Sequence, residues 1–352
     1  MSRKLIRSAG YNYLPFNVDR MFSIHLFLTL ECNYRCEYCF VWKPTSNIIE
    51  TVKIEELIYM LKEKKYENID IVFHGGEPTL HPDYLYITEL FCKELPKCGI
   101  IWFSNGSAKI TYYKKAFDIL NLYGQEKFAI ISYHAAKENN LKFLLLLNNM
   151  QKYKNMKKRI AFMLEPKQKE KMIQMKRLLK KVDISDIEIQ MSPLEKYEPN
   201  WLEDPLLVNM YNESKNIKTF VGEEANKTKD IFYDFYNTEE DVIYRESYTI
   251  DEMKALPDMY HTFTNFNCYA YQQCAMFPEG YLQPRCLEGW NIEDVKNMSY
   301  KEQINVILER CNEPIICTKK FCEFRDQVRA IPRYIDDYDF SFKRKIINMD
   351  KE

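Results

Sequence analysis

The chain has 352 residues, with 50 Lys and Arg set against 51 Asp and Glu and a pI near 6.6. That balance leaves no electrostatic footprint for nucleic acid, and no apolar run approaches the roughly 18 residues of a membrane span. The start, MSRKLIRSAGYNYLPFNVDR, carries basic residues but no apolar h-region of a signal peptide. The expectation is a cytoplasmic protein of about two domains with no nucleic-acid or membrane partner.

In chain order, a 1–21 segment leads into a regular beat from 22 to 194. Short apolar, β-branched or aromatic runs predict buried strands at Ser23–Leu30, Ile69–Phe73, Ile100–Phe103, Phe128–Ser132, Arg159–Leu164 and Asp186–Met191. Their starts are mostly about thirty residues apart, the length of a strand–helix repeat. Ile54, Leu57, Ile58 and Leu61 follow helical spacing, and helices are predicted over Asp83–Leu95, Lys109–Leu122, Glu138–Tyr153 and Lys167–Lys181. Six such units imply an α/β fold with a parallel sheet. A partial (β/α)6 barrel is favoured over a doubly wound sheet, and either puts the chemistry at the C-terminal ends of the strands. The acidic, aromatic stretch 195–265 breaks the beat and is read as a lid, an insertion or part of a substrate pocket. A cysteine-rich domain is expected over 266–330 and a tail over 331–352, loose from Lys343 onward.

Eleven cysteines stand at 32, 36, 39, 92, 98, 268, 274, 286, 311, 317 and 322. In a reducing compartment, clustered cysteines read as metal ligands rather than disulfides, and the odd count argues against complete pairing. Cys92 and Cys98 are placed in a helix-to-strand connection and read as inert. Cys32, Cys36 and Cys39 form a C-x₃-C-x₂-C loop directly after the first strand. Three thiolates on one loop can hold three irons of a [4Fe-4S] cube and leave the fourth iron open to a small molecule. A zinc site would want a fourth ligand, and no nearby His or Cys supplies one.

The second strand ends in His74-Gly75-Gly76-Glu77-Pro78. Adjacent glycines in a chain with only nine allow close backbone approach to a ligand, and Glu77 can accept from an ammonium group. The third strand ends in Ser104-Asn105-Gly106 and the fourth in Ser132-Tyr133-His134. His134 is read either as a contact to substrate or carboxylate or as a plain strand-end hydrogen bond. Glu165, after the fifth strand, either faces the pocket or caps a helix. Met191, on the sixth, touches a ligand or belongs to the core.

At these motifs, over roughly 22–192, the chain resembles the radical S-adenosylmethionine (SAM) superfamily. The resemblance implies that Cys32, Cys36 and Cys39 hold a SAM-cleaving [4Fe-4S] cluster, with Tyr38 as the aromatic before the last cysteine. It implies that Gly75, Gly76, Glu77 and Pro78 hold the methionyl amine. Ser104 and Asn105 match the family's Thr-Asn-Gly segment, Ser132 suits the SAM ribose and Met191 the adenine.

Farther on, Cys268 and Cys286 flank Phe277–Leu282, read as a β-hairpin turning at Pro278–Gly280. Cys317 and Cys322 can complete a four-cysteine site. This resembles the SPASM and twitch auxiliary-cluster domains, although the later group, C-x₅-C-x₄-C, lacks their close C-x₂-C pair. Six cysteines complete one auxiliary cluster and leave two over, so Cys274 stays a candidate ligand and Cys311 a candidate hydrogen donor. Zinc or plain buried thiols are the alternatives.

The resemblance implies a radical SAM oxidoreductase or maturase that forms a 5′-deoxyadenosyl radical and is reduced by a partner such as flavodoxin or ferredoxin. The substrate expected is a ribosomal peptide or protein, oxidised or cross-linked, with an auxiliary cluster as electron acceptor. With 31 residues before Cys32, a leader-recognition domain is expected to be a separate protein. The alternatives are a twitch-type dehydrogenase or epimerase of a small sugar or aminocyclitol and, more remotely, a non-catalytic zinc or iron-sulfur protein.

Overall fold

The computed structural model describes residues 3–10, 23–39, 45–66, 69–182, 184–193, 205, 231–248, 256–257, 260, 263–268, 271, 273–279, 281–284, 291–310, 313–318, 333–334 and 346–349. The chain forms two compact units. One comprises Met1–Phe22, Glu224–Cys274 and Gln283–Glu352, and the other Ser23–Glu223 with Ala275–Leu282.

Strand β1 (Arg3–Gly10) belongs to the first unit. The second unit then alternates strictly: β2 (Ser23–Phe27), α1 (Thr51–Glu63), β3 (Asp70–His74), α2 (Tyr84–Glu94), β4 (Gly99–Ser104), α3 (Ile110–Leu122), β5 (Lys127–Tyr133), α4 (Asn140–Met150), β6 (Lys157–Leu164), α5 (Lys169–Leu179) and β7 (Glu188–Pro193). The six strands are parallel and lie side by side in chain order. A sheet wound one way has no switch point, so the doubly wound alternative falls and the topology is that of a partial barrel.

Alternation along each strand separates two faces. Phe73, Trp102 and Tyr133 point to the helices. Phe73 meets Tyr84 and Phe91 of α2, Trp102 meets Tyr113 and Phe117 of α3, and Tyr133 meets Phe143 of α4. The register sets Phe27, His74, Phe103, Ile130, Arg159 and Glu188 in one row on the opposite face. There Arg159 is buried, donates to Glu188 at 2.9 Å and to Gln190 at 3.2 Å, and lies 4.7 Å over the Phe128 ring. Asn139 caps α4 by accepting from the Leu141 and Lys142 amides. The buried Lys127 ammonium reaches back to the Leu120 and Tyr123 carbonyls at the end of α3.

In the first unit, β1 pairs with β8 (Ile231–Asn237), which forms a hairpin with β9 (Val242–Tyr248). Tyr233, Phe235, Tyr248, Phe263 and Phe266 make its core. Directly opposed Asp234 and Arg245 pair through two hydrogen bonds of 2.7 and 2.9 Å. The short β10 (Asn267–Cys268) follows. The hairpin of β11 (Gln273–Met276) and β12 (Leu282–Pro284), closed by the Phe277 amide on the Tyr281 carbonyl at 3.1 Å, lies instead in the sheet of the second unit, with β11 beside β2. The chain ends with α6 (Ile292–Lys296), α7 (Tyr300–Arg310), β13 (Ile315–Ile316), β14 (Arg333–Tyr334) and β15 (Ile346–Met349).

The expected linear division is therefore redrawn. The 1–21 segment contributes β1, between β14 and β8 in a seven-stranded sheet. Of the stretch read as a lid, 231–248 is a sheet hairpin. The tail expected to be loose contains β15, in parallel register with β9. The first barrel strand stops at Phe27 rather than Leu30, because Leu28 and Thr29 turn to Ile49 and Ile48. No helix among the described residues is long and apolar enough to cross a membrane.

Trp102 is fully buried, and its indole N–H finds no acceptor among the described residues. Trp102→Ala is expected to lower the unfolding free energy by about 3–5 kcal/mol. Trp102→Phe, which also removes that N–H, should cost far less. Urea titration followed by circular dichroism measures both.

Candidate functional site

At the C-terminal ends of the parallel strands lies a cavity of about 230 Å³. Its wall is the cysteine loop together with Gly75–Pro78, Phe103–Asn105, Ser132, His134 and Met163. The loop follows β2, and its last turn is closed by the Cys39 amide on the Cys36 carbonyl at 3.1 Å.

The loop is held from below by backbone. The Gly76 amide donates to the Thr29 carbonyl and the Glu77 amide to the Glu31 carbonyl, both at 2.8 Å. The two segments are so close that a Cβ on Gly75 would sit 2.3 Å from the Thr29 oxygen, and one on Gly76 2.2 Å from the Glu31 oxygen. Gly75 also takes φ +153°, which L side chains rarely adopt. The glycine pair thus brings two backbones together at the base of the cysteine loop, besides lining the cavity.

Glu77 is completely buried. Oε1 accepts from the Thr79 hydroxyl (2.6 Å), the Ser104 hydroxyl (2.8 Å) and the Thr79 amide (3.2 Å), and Oε2 accepts from the Asn105 amide (2.6 Å). Burial pushes its carboxyl upward, and these four donors pull the other way. Ser104 in turn accepts from the Gly106 amide and is 2.8 Å from the Tyr113 hydroxyl. Glu77 therefore ties the ends of β3 and β4 together. One lone pair on Oε2 is left over by this count.

From β4, the Asn105 side-chain amide donates to Asn33 Oδ1 at 3.0 Å and lies 3.8 Å from Cys32 Sγ. The Tyr34 amide also points at that sulfur, at 3.4 Å. From β5, His134 Nδ1 sits 2.7 Å from Tyr38 Oη and 3.6 Å from Cys36 Sγ. Burial depresses the imidazole to about 4, so it is neutral near pH 7. Tyr34 donates to the buried Glu138 at 2.5 Å. Glu165 does not cap its own 3-10 turn; it accepts from the Ala136 amide and from Tyr38.

Burial raises the Cys32 thiol and lifts that of Cys36 to about 11, with the neighbouring thiolates pushing in the same direction. Such a set ionises together only when a cationic group shares it. Among the described residues no trio of His, Cys, Asp or Glu is arranged to hold a single metal ion, an arrangement that a cube with one iron per thiolate does not require.

Residues 26–163 match the Radical SAM superfamily. The chain carries a radical SAM domain. The family implies a [4Fe-4S] cluster and SAM, and the three thiols beside the cavity suit that pair. The S-adenosylmethionine-dependent nucleotide dehydratase RSAD2 of Siniperca chuatsi is 35% identical over 106 residues, which is 28% of this chain and 29% of that protein. The GTP 3′,8-cyclase of Haemophilus influenzae is 32% identical over 91 residues, 24% of this chain and 26% of that one. The matches thus span less than a third of those relatives' own lengths. Among solved structures, anSMEcpe with bound AdoMet aligns at TM-score 0.48 and 15% identity over 82% of this chain and 77% of its own.

Cys32, Cys36, Cys39, Tyr38, Gly75, Gly76, Glu77, Pro78, Ser104, Asn105, Ser132 and His134 line one cavity. Met191 lies on β7, but its side chain is outside the described residues, as are Cys286, Cys311 and Cys322. Cys274 is buried on β11. Cys92 lies within α2 rather than after it, and burial lifts its thiol to about 12. Sequence reasoning missed Tyr34, His74, Phe103 and Met163. Strand alternation outward from Asp70 and Val72 could have found His74; no comparable signal marks Tyr34.

Gly76→Ala is expected to destabilise the domain by about 3 kcal/mol or more, because backbone rather than a movable side chain occupies the space. Gly124→Ala, with nothing within 4 Å of the added carbon, should leave the melting temperature nearly unchanged. Glu77→Gln sets an amide donor among four donors and should cost about 1–3 kcal/mol. Differential scanning calorimetry of the three variants checks all three expectations.

Proposed function

We propose that this chain is a radical SAM oxidoreductase or maturase that reductively cleaves SAM and removes a hydrogen atom from its substrate. The observation that carries the reading is the convergence of the Cys32, Cys36 and Cys39 thiols with Gly75–Pro78, Asn105 and Ser132 on one cavity. Cys32, Cys36 and Cys39 would hold the cluster; Tyr38, Gly75, Gly76, Glu77, Pro78, Ser104, Asn105, Ser132, His134 and Met191 are proposed for SAM. Bound there, the pair supplies an electron and a 5′-deoxyadenosyl radical. The chain's own part is to fix the loop, present the Gly75–Glu77 backbone to the ligand and screen it from water with Phe103 and Met163.

A second cluster is proposed for the first unit, with Cys268, Cys286, Cys317, Cys322 and Cys274 as candidate ligands. Pairing of β10 with β13 supports it: Cys268 faces Ile315, and the Cys317 amide bonds the Phe266 carbonyl. That register sets Cys268 and Cys317 diagonally on one face of the sheet. Cys311 stays proposed as a hydrogen donor.

Oxidation or cross-linking of a peptide or protein is one substrate reading, with the auxiliary cluster as electron acceptor. The two curated relatives named above carry nucleotide substrates in their names, which favours the small-molecule alternative.

Anaerobically reconstituted protein given SAM and dithionite is expected to release 5′-deoxyadenosine, and a Cys32/Cys36/Cys39→Ala triple variant to release none. Roughly four irons with sulfide should remain in that variant. An iron-loaded parent that neither makes 5′-deoxyadenosine nor shows a SAM-dependent change in its cluster spectrum would sink the reading. Loss of all iron from the triple variant would remove the auxiliary cluster alone.

A further inference from the structure

His134 enters the cysteine loop from the end of β5 and is wedged between its two tyrosines. Its ring stacks on Tyr38 at 6.0 Å and 10° and meets Tyr34 edge-on at 5.7 Å and 81°. One nitrogen, Nδ1, faces both Tyr38 Oη and Cys36 Sγ. A neutral imidazole carries a single N–H, and the neighbours decide which nitrogen bears it.

With Cys36 as a free thiol, Nδ1 could accept a proton from sulfur or from Tyr38. A thiolate ligand has no proton to offer, and a bare Nδ1 would then oppose lone pair to lone pair. The tautomer compatible with ligation is Nδ1–H. The Tyr38 hydroxyl is hydrogen-bonded to Glu165 and is also directed at the Cys36 sulfur. In this arrangement Nδ1–H serves the sulfur and the tyrosine oxygen, and the tyrosine hydroxyl has the carboxylate and the sulfur as acceptors.

We propose that His134 is a positioning residue that donates an N–H···S hydrogen bond to Cys36, shared with Tyr38 Oη, and so raises the reduction potential of the cluster on Cys32, Cys36 and Cys39. The physical cause is charge: a donor on a ligating sulfur draws off electron density and favours the more negative, reduced state. The inference rests on the cluster reading above and extends it to a residue that touches the ligand rather than the metal.

The test is an EPR-monitored redox titration of the SAM-responsive cluster in the anaerobically reconstituted full chain. His134→Phe keeps the ring and removes the donor, and should shift the potential negative. His134→Gln, which restores an N–H donor, should return it towards the parent. No shift in His134→Phe, or no return in His134→Gln, overturns the proposal, since general loosening of the loop would not be undone by restoring a donor. Should His134→Phe fail to load iron, His134→Leu takes its place: a potential more negative than that of His134→Gln supports the donor, and equal potentials overturn it. A parent without a SAM-responsive signal overturns the underlying reading instead.

Discussion

Two backbone segments in contact, Thr29–Glu31 and Gly75–Glu77, hold the rest of the site in place. Their amide–carbonyl bonds of 2.8 Å leave no room for a side chain on either glycine. The contact fixes where the chain leaves β2, and hence where Cys32 begins its loop. It also delivers Glu77 to the one place where it can bind the turn after β4. Nothing softer could do this as sharply, since a side-chain contact leaves rotamers to choose among and apposed backbones do not.

From that base the loop is reached by each successive strand end. Asn105 arrives from β4 and addresses Cys32 and Asn33; His134 arrives from β5 and addresses Cys36 and Tyr38; Glu165, after β6, takes Tyr38 from the other side. The order of contacts around the loop follows the order of strands in the sheet. A sheet wound in one direction produces this, because its strand ends succeed one another around a common opening.

Much of this was legible in the sequence. The thirty-residue beat set the strands to within three residues, because buried parallel strands are short unbroken apolar runs such as Ile69–Phe73 and Ile100–Phe103. The cysteine spacing and the Gly75-Gly76-Glu77-Pro78 segment located the cavity. The role of Glu77 was not legible, since a carboxylate facing a ligand and one facing four protein donors have the same letter. Nor was the second sheet. It joins β1 near the start to β8, β9 and β15, and pairings such as β1 with β8, more than 200 residues apart, and β9 with β15, about 100 apart, leave no local periodicity to read. Tyr34 was equally invisible, because its partner Glu138 is 104 residues away and matters through a single hydrogen bond.

The bonds that shape the socket run between protein atoms, and the four donors to Glu77 come from Thr79, Ser104 and Asn105 rather than from a cysteine. The floor beneath Cys32 is thus set by Thr29, Glu31 and the two glycines. A group carried by the three thiols would rest on a base that its own bonds to sulfur do not have to build.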